Sequence, residues 1–252
     1  MHVSAQPYSV PKAGNSEEEY EDAYWPSGQV EDSGASFSFA VADGATEASY
    51  SKAWARILVE AYCNGPLDAS DLTERLPGLQ AKWRESLDTQ SLPWYAEEKV
   101  HDGAFSSLLG LTIDEVVSPD GLLRVWKATA IGDSCLFQVR DDELIVSFPL
   151  TRSEQFNSRP TLVSSNPASN AHLSEHVLNI KDHWEVEDAF YLMTDALACW
   201  FLKAVEDGKK PWKIKRNAPE DFETWIRRLR KDGLIRNDDV TLFRVELLGD
   251  ID

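Results

Sequence analysis

The chain has 252 residues, 42% of them hydrophobic and 27% charged, with a formal net charge of −18 and a pI near 4.6. That acidity lacks the basic surface that nucleic acid or an anionic membrane requires, and it leaves room for bound cations. The length can hold a substantial core, and no linker, internal repeat or low-complexity tract divides it, so one domain over residues 1–252 is expected.

Residues 1–7 carry neither a basic nor an apolar signal-like run, so no secretory leader is expected. Residues 36–42, Ser-Phe-Ser-Phe-Ala-Val-Ala, read as a buried strand. Thr46 or Ser49 caps a helix to about residue 63, with Trp54, Ile57, Leu58 and Ala61 at helical spacing and Asn64-Gly65-Pro66 as its stop. A second amphipathic helix is predicted over residues 71–87, with Leu72, Leu76, Leu79 and Trp83 on one side. Residues 105–113 and 122–131 read as paired strands joined through Pro119-Asp120-Gly121. A hairpin of residues 134–140 and 143–148 turns at Asp141-Asp142.

Residues 151–184 are polar and rich in Ser and Asn, and they read either as a flap over a site or as a surface excursion. A strand at 189–194, helices at 197–206 and 221–231 and a strand at 240–247 complete the chain. The longest apolar stretch, residues 190–202, is interrupted by Asp195 and too short to cross a bilayer. The order is not the βαβ alternation of a parallel sheet; it suits helices packed outside antiparallel sheets. Trp54, Trp83 and Trp225 read as helix-face packing residues, whereas Trp94 and Trp212 lie in Pro-flanked loops and read as exposed. Cys63, Cys135 and Cys199 are odd in number and lack Cys-x-x-Cys spacing, which fits reduced thiols in the cytoplasm. His172 and His176 have i, i+4 spacing, but Leu173 stands where a zincin glutamate would be.

Four aspartates fall where an apolar run gives way to a turn or helix: Asp22, Asp43, Asp195 and Asp238. Each alone is an ordinary turn former or helix cap. Brought together, they would repel and raise one another's pKa, and a hard divalent cation with oxygen ligands would relieve that repulsion. Five short motifs in order carry a resemblance: Lys12-Ala13-Gly14 through Glu21-Asp22-Ala23, Val41-Ala42-Asp43-Gly44, Gly132-Asp133-Ser134, Met193-Thr194-Asp195 and Asp238-Asp239-Val240-Thr241. In these the chain resembles the metal-dependent protein phosphatases, the protein phosphatase 2C or PPM family, as a divergent, bacterial-type member.

The resemblance implies an α+β fold, a four-layer α-β-β-α sandwich of two antiparallel sheets flanked by helices. It implies two Mg²⁺ or Mn²⁺ ions. By that resemblance Asp43 would bridge them, the Gly44 carbonyl would bind one, Asp195 and Asp238 would complete the first, and Glu21 and Asp22 would serve the second, partly through water. Asp133 is the candidate for a third ion. A hydroxide shared by the two ions would hydrolyse phosphoserine or phosphothreonine in a protein substrate, within a Ser/Thr kinase pathway. The alternative is a catalytically weak or inactive phosphatase-like binding module in signalling.

Departures from the family pattern support that alternative. Ala45 stands where His or Met is usual, and Glu17 where many members carry a phosphate-binding Arg. Cys199 replaces a third-ion Asp, Ala196 a Gly, and Asp239 an Asn, which leaves Asp238 and Asp239 as rival ligands. Lys12, Arg152 and Arg159 are the candidates for the missing phosphate-binding cation. A haloacid-dehalogenase-type loop at residues 41–46 is set aside, because its nucleophile would fall on Val41.

Overall fold

The computed structural model describes residues 1–45, 50–65, 67, 69–87, 102–119, 121–157, 159–213 and 219–249. The strands are β1 (His2–Val10), β2 (Ala23–Trp25), β3 (Val30–Ser33), β4 (Ser36–Ala42), β5 (Phe105–Ser106), β6 (Leu108–Ser118), β7 (Gly121–Ile131), β8 (Cys135–Arg140), β9 (Glu143–Phe148), β10 (Val163–Ser164), β11 (Leu178–His183), β12 (Ala189–Met193) and β13 (Val240–Leu248). Among the described residues there are four α-helices: α1 (Tyr50–Cys63), α2 (Ala69–Ser86), α3 (Asp195–Glu206) and α4 (Pro219–Lys231).

Two antiparallel sheets form the centre. One runs β3-β1-β13-β12-β8-β9 and the other β11-β7-β6-β4-β2. Alternation along the strands explains the layering, since neighbouring side chains point to opposite faces. On β4, Phe39 and Val41 face the other sheet, whereas Ala40 and Ala42 face α1. On β12, Phe190 and Leu192 join the inter-sheet core, whereas Ala189, Tyr191 and Met193 pack with Leu197 and Phe201 of α3. Strands covered on both faces read as continuous apolar runs, as these two do. Three cores separate four layers: α1 and α2 on one sheet, sheet on sheet, and α3 and α4 on the other. This is the expected α-β-β-α sandwich.

Several local readings change. Strand β1 was not expected, because His-Val-Ser-Ala-Gln-Pro-Tyr-Ser-Val mixes polar residues with a proline. Partner β3 reaches only His2 through Ala5, so Pro7 lies where β1 has an open edge and a missing N–H costs no ladder bond. The strand expected from residue 105 divides at Ser107; β5 pairs with β10 and the remainder with β4 and β7. The polar segment 151–184 is neither a free flap nor a simple excursion, since it supplies β10 and the sheet-edge strand β11. Trp212 is half-buried, with its indole N–H donating to Asp142 Oδ1 at 2.9 Å. The caps Thr46 and Ser49, Trp94 and Asp120 of the β6–β7 turn lie outside the described residues.

Helix α1 lies close against its sheet at Gly110. A Cβ there would stand 2.3 Å from the Tyr62 ring, whose hydroxyl is 3.3 Å from Thr112 Oγ1. No rotamer of a buried ring absorbs that overlap without displacing α1. Gly110→Ala is therefore expected to destabilise the protein by about 1–3 kcal/mol in urea unfolding. A change below about 0.5 kcal/mol, the usual range for neutral surface substitutions, would show that the α1 contact is slack.

Candidate metal centre

The ends of several strands meet at one end of the sandwich, and the motif residues lie there. Asp43 follows β4. Its backbone N–H donates to Ser107 Oγ at 2.9 Å, and its carbonyl accepts from Ser107 N–H and Ser106 Oγ, both at 2.9 Å. Ser107 Oγ is in turn 2.8 Å from Ser134 Oγ of the Gly132-Asp133-Ser134 turn. Gly132 adopts φ +96°, and a Cβ on it would come within 2.8 Å of Ser107 Cβ, so glycine is needed twice over. The break in the strand at Ser107 thus has a purpose, since it turns two serines onto the Asp43 peptide.

Gly44 is held by close approach. A Cβ there would lie 2.7 Å from the Glu21 carbonyl oxygen and 3.0 Å from Ser51 Cβ. Ser51, in the first turn of α1, donates its hydroxyl to Glu21 Oε1 at 2.7 Å. The Glu21-Asp22 segment and the Asp43-Gly44 segment are therefore in contact.

Asp22 is 3% exposed, and its Oδ2 accepts from Thr241 Oγ1 at 2.7 Å and Thr194 Oγ1 at 3.0 Å. Thr241 N–H donates to Thr194 Oγ1 at 2.9 Å, and the Tyr20 hydroxyl bonds Thr241 Oγ1. The threonines of the Thr-Asp and Val-Thr motifs thus hold an aspartate from the other end of the chain. Thr194 and Thr241 stand in the quoted motifs, but neither their role in holding Asp22 nor the contact from Tyr20 follows from the sequence.

Hydrogen bonding distinguishes Asp238 from Asp239. Asp239 accepts from Lys12 N–H at its Oδ1 and from Glu21 N–H at its Oδ2, each at 2.7 Å. With both oxygens engaged by backbone, Asp239 is a brace. Asp238 remains half-buried, with its Oδ2 3.1 Å from Arg236 Nη2. The same nitrogen contacts Asp195 Oδ2. Arg236 was missed; its signal was a cation two positions before the last aspartate motif.

Electrostatics tie the group together. Burial pushes Asp22, Asp43 and Asp195 above the usual carboxylate range. Repulsion from Asp22, Asp195, Asp238 and Asp133 adds to the rise at Asp43. Burial, then repulsion from Asp195, pushes Asp133 up to about 7. Among the described residues no three His, Cys, Asp or Glu side chains converge as a ready-made ligand set. The chemistry of the donors nevertheless fits a hard dication. All are oxygens, they raise one another's pKa, and Asp195 Oδ1 is buried without a hydrogen-bond partner among the described residues.

The three cations considered for phosphate differ in position. Lys12 is exposed, and its backbone is held by Asp239 beside Glu21. Arg152 pairs with Glu154 at 2.6 Å, next to Ser153, whose N–H and hydroxyl donate to the Glu206 carboxylate at the far end of α3. Arg159 is exposed, and its N–H donates to Asn157 Oδ1. Glu17 is exposed in a short 3₁₀ turn, and its carbonyl accepts from Lys52 Nζ at 3.1 Å.

Comparison with known proteins bears on the fold and the family. No curated protein sequence matches significantly. Among solved structures, the serine/threonine phosphatase PstP/Ppp of Mycobacterium tuberculosis is 14% identical, with TM-score 0.58, covering 99% of this chain and 100% of that one. PppA, a regulatory component of the type VI secretion system in Pseudomonas aeruginosa, is 17% identical, with TM-score 0.55 and 98% of each chain covered. A PstP catalytic domain in complex with two manganese ions is 14% identical, with TM-score 0.55, covering 98% of this chain and 100% of that one. At such identities these likenesses establish the fold alone. The family model for protein phosphatase 2C matches residues 15–240, and the chain belongs to that family.

Proposed function

We propose that this chain is a Mg²⁺- or Mn²⁺-dependent phosphatase acting on phosphoserine and phosphothreonine in proteins, as one phosphatase domain in the cytoplasm opposite a Ser/Thr kinase. The observation that carries this reading is the set of mutually repelling carboxylates, Asp22, Asp43, Asp133 and Asp195, with Asp195 Oδ1 buried and without a hydrogen-bond partner among the described residues. The pairing of β1 with β13 supports treating residues 1–252 as a single domain.

Asp43, Asp195, Asp238 and the Gly44 carbonyl would hold one ion, with Asp43 shared toward a second held by Glu21 and Asp22. Bound cations would supply charge neutralisation for the transferring phosphoryl group and a water made acidic enough to react near neutral pH. The chain's own residues orient the ligands. Thr194 and Thr241 fix the Asp22 carboxylate, Ser51 fixes Glu21, and Ser106 and Ser107 fix the Asp43 peptide. No protein nucleophile is needed, which suits three cysteines whose thiols burial holds above their ordinary pKa.

Asp43→Asn and Asp195→Asn are each expected to abolish Mn²⁺-dependent hydrolysis of an aryl phosphate. Asp43→Asn should leave the metal-free protein as stable as wild type or more so, because one repelling charge is gone. Retained turnover in either variant, with excess Mn²⁺, would count against cation-dependent chemistry. Mn²⁺ binding with no turnover in wild type would favour the binding-module reading.

Protonation gives an independent test in chelator. An unfolded aspartate ionises near pH 4, and folded Asp133 at about 7. The folded state therefore binds more protons across that interval. Its stability is greatest at the acidic end and is lost as pH rises toward 7. The metal-free protein should melt at higher temperature at pH 5.5 than at pH 7.5, on the order of several degrees for a pKa gap of this size. Asp133→Asn should reduce the difference, with the other raised carboxylates supplying the remainder, and an unchanged pH profile in that variant would show that Asp133 is not strained.

Of the three surface cations, Lys12 is the one whose backbone is tied to the site, its N–H donating to Asp239. It is assigned to phosphate capture in place of the Arg that Glu17 has replaced. Lys12→Ala should raise KM for a phosphopeptide about tenfold with metal affinity unchanged, whereas Arg152→Ala should do little. The reverse pattern would move phosphate capture to the 151–184 segment.

A further inference from the structure

Arg236 sits where a cation between Asp195 and Asp238 would sit. One nitrogen, Nη2, contacts Asp195 Oδ2 and lies 3.1 Å from Asp238 Oδ2. The pairing is built into the local chain. Asp238 N–H donates to the Arg236 carbonyl at 3.1 Å, so a tight turn brings the two side chains together. The neighbouring Arg230 behaves differently. Its guanidinium donates to the carbonyls of Pro11 and Asp238 at 2.8 and 2.6 Å and thereby fixes the loop backbone. Arg236 makes its pairs to carboxylates instead, and its side chain is 57% exposed while that of Asp195 is 11% exposed. It reaches a buried carboxylate from the solvent side and has open space into which to withdraw.

Charge decides how firmly it is held. Asp43 and Asp133 also lie within the field of Arg236, so one positive charge faces at least four carboxylates counting Asp195 and Asp238. A monovalent guanidinium offsets only part of that repulsion, and a dication offsets more. Asp195 Oδ1 remains without a partner among the described residues even with Arg236 in place.

We propose that Arg236 is an exchangeable counter-ion: it neutralises Asp195 and Asp238 in the metal-free protein and competes with the divalent cation, so that loading requires the guanidinium to leave. The inference rests on the two-metal reading above. Because the two cations exclude each other, each weakens the other's binding by the same factor. Arg236 thus stabilises the metal-free fold and sets a threshold of metal concentration for loading.

The test uses the full chain, stripped with chelator, as wild type, Arg236→Ala, Arg236→Lys and the neutral, similarly long Arg236→Gln. Mn²⁺ binding is measured by calorimetry and metal-free stability by thermal melting. Arg236→Ala and Arg236→Gln are expected to bind Mn²⁺ about tenfold more tightly and to melt at lower temperature without metal, with Arg236→Lys between them and wild type. Arg236→Gln and Arg236→Lys carry the test if the alanine variant does not fold. Equal or weaker Mn²⁺ binding in the neutral variants would overturn the counter-ion role while leaving the metal centre standing. Absence of Mn²⁺ binding in wild type and variants alike would overturn both.

Discussion

Carboxylates brought together at the ends of buried strands repel, and the organisation of this molecule follows from holding them there. Asp22, Asp43, Asp133 and Asp195 come from four separate parts of the chain, and each is pushed toward its neutral form. Unpaired charges in such a place cost several kcal/mol each, so the arrangement persists only if the rest of the fold stabilises it or a cation neutralises it. The three apolar cores provide the first means. Arg236 provides part of the second, and the proposed divalent ions the remainder.

The support is made largely of small hydroxyl residues and close backbone contacts. Thr194, from the end of β12, and Thr241, from the start of β13, both reach Asp22, which links the N-terminal motif to the C-terminal one. Ser107 forms a second link, between the Gly132-Asp133-Ser134 turn and Asp43. Gly44, pressed between Glu21 and Ser51, forms a third. Each link joins two motifs distant in sequence. The hydroxyls that hold Asp22 and the Asp43 peptide come from distant parts of the chain, Thr194 and Thr241 for the first and Ser106 and Ser107 for the second.

Much of this was legible beforehand. The end-of-strand aspartates, the hairpin over Asp141-Asp142 and the amphipathic faces of α1 and α2 depend on local pattern, and local pattern is what a sequence displays. Strands β1 and β11 were not legible, because β1 mixes polar residues with Pro7, and β11, Leu-Asn-Ile-Lys-Asp-His, is an exposed edge strand with little apolar content. Asp238 is the ligand that the motif implies, and an aspartate in place of the usual Asn makes Asp239 its rival. They separate only because the N–H groups of Lys12 and Glu21, more than 200 positions away, engage Asp239. Arg236 was hidden for a related reason: an arginine in a polar loop reads as solvated until its carboxylate partners are located.

The account turns on whether a divalent cation belongs among these carboxylates. A crystal structure of the protein grown with Mn²⁺, with data collected for anomalous scattering, tests it most directly. The account predicts anomalous density among Asp43, Asp195 and Asp238, a second peak toward Glu21 and Asp22, and the Arg236 guanidinium turned away from Asp195. No anomalous density at these side chains, with Arg236 still bound to Asp195 and Asp238 at saturating Mn²⁺, would contradict it.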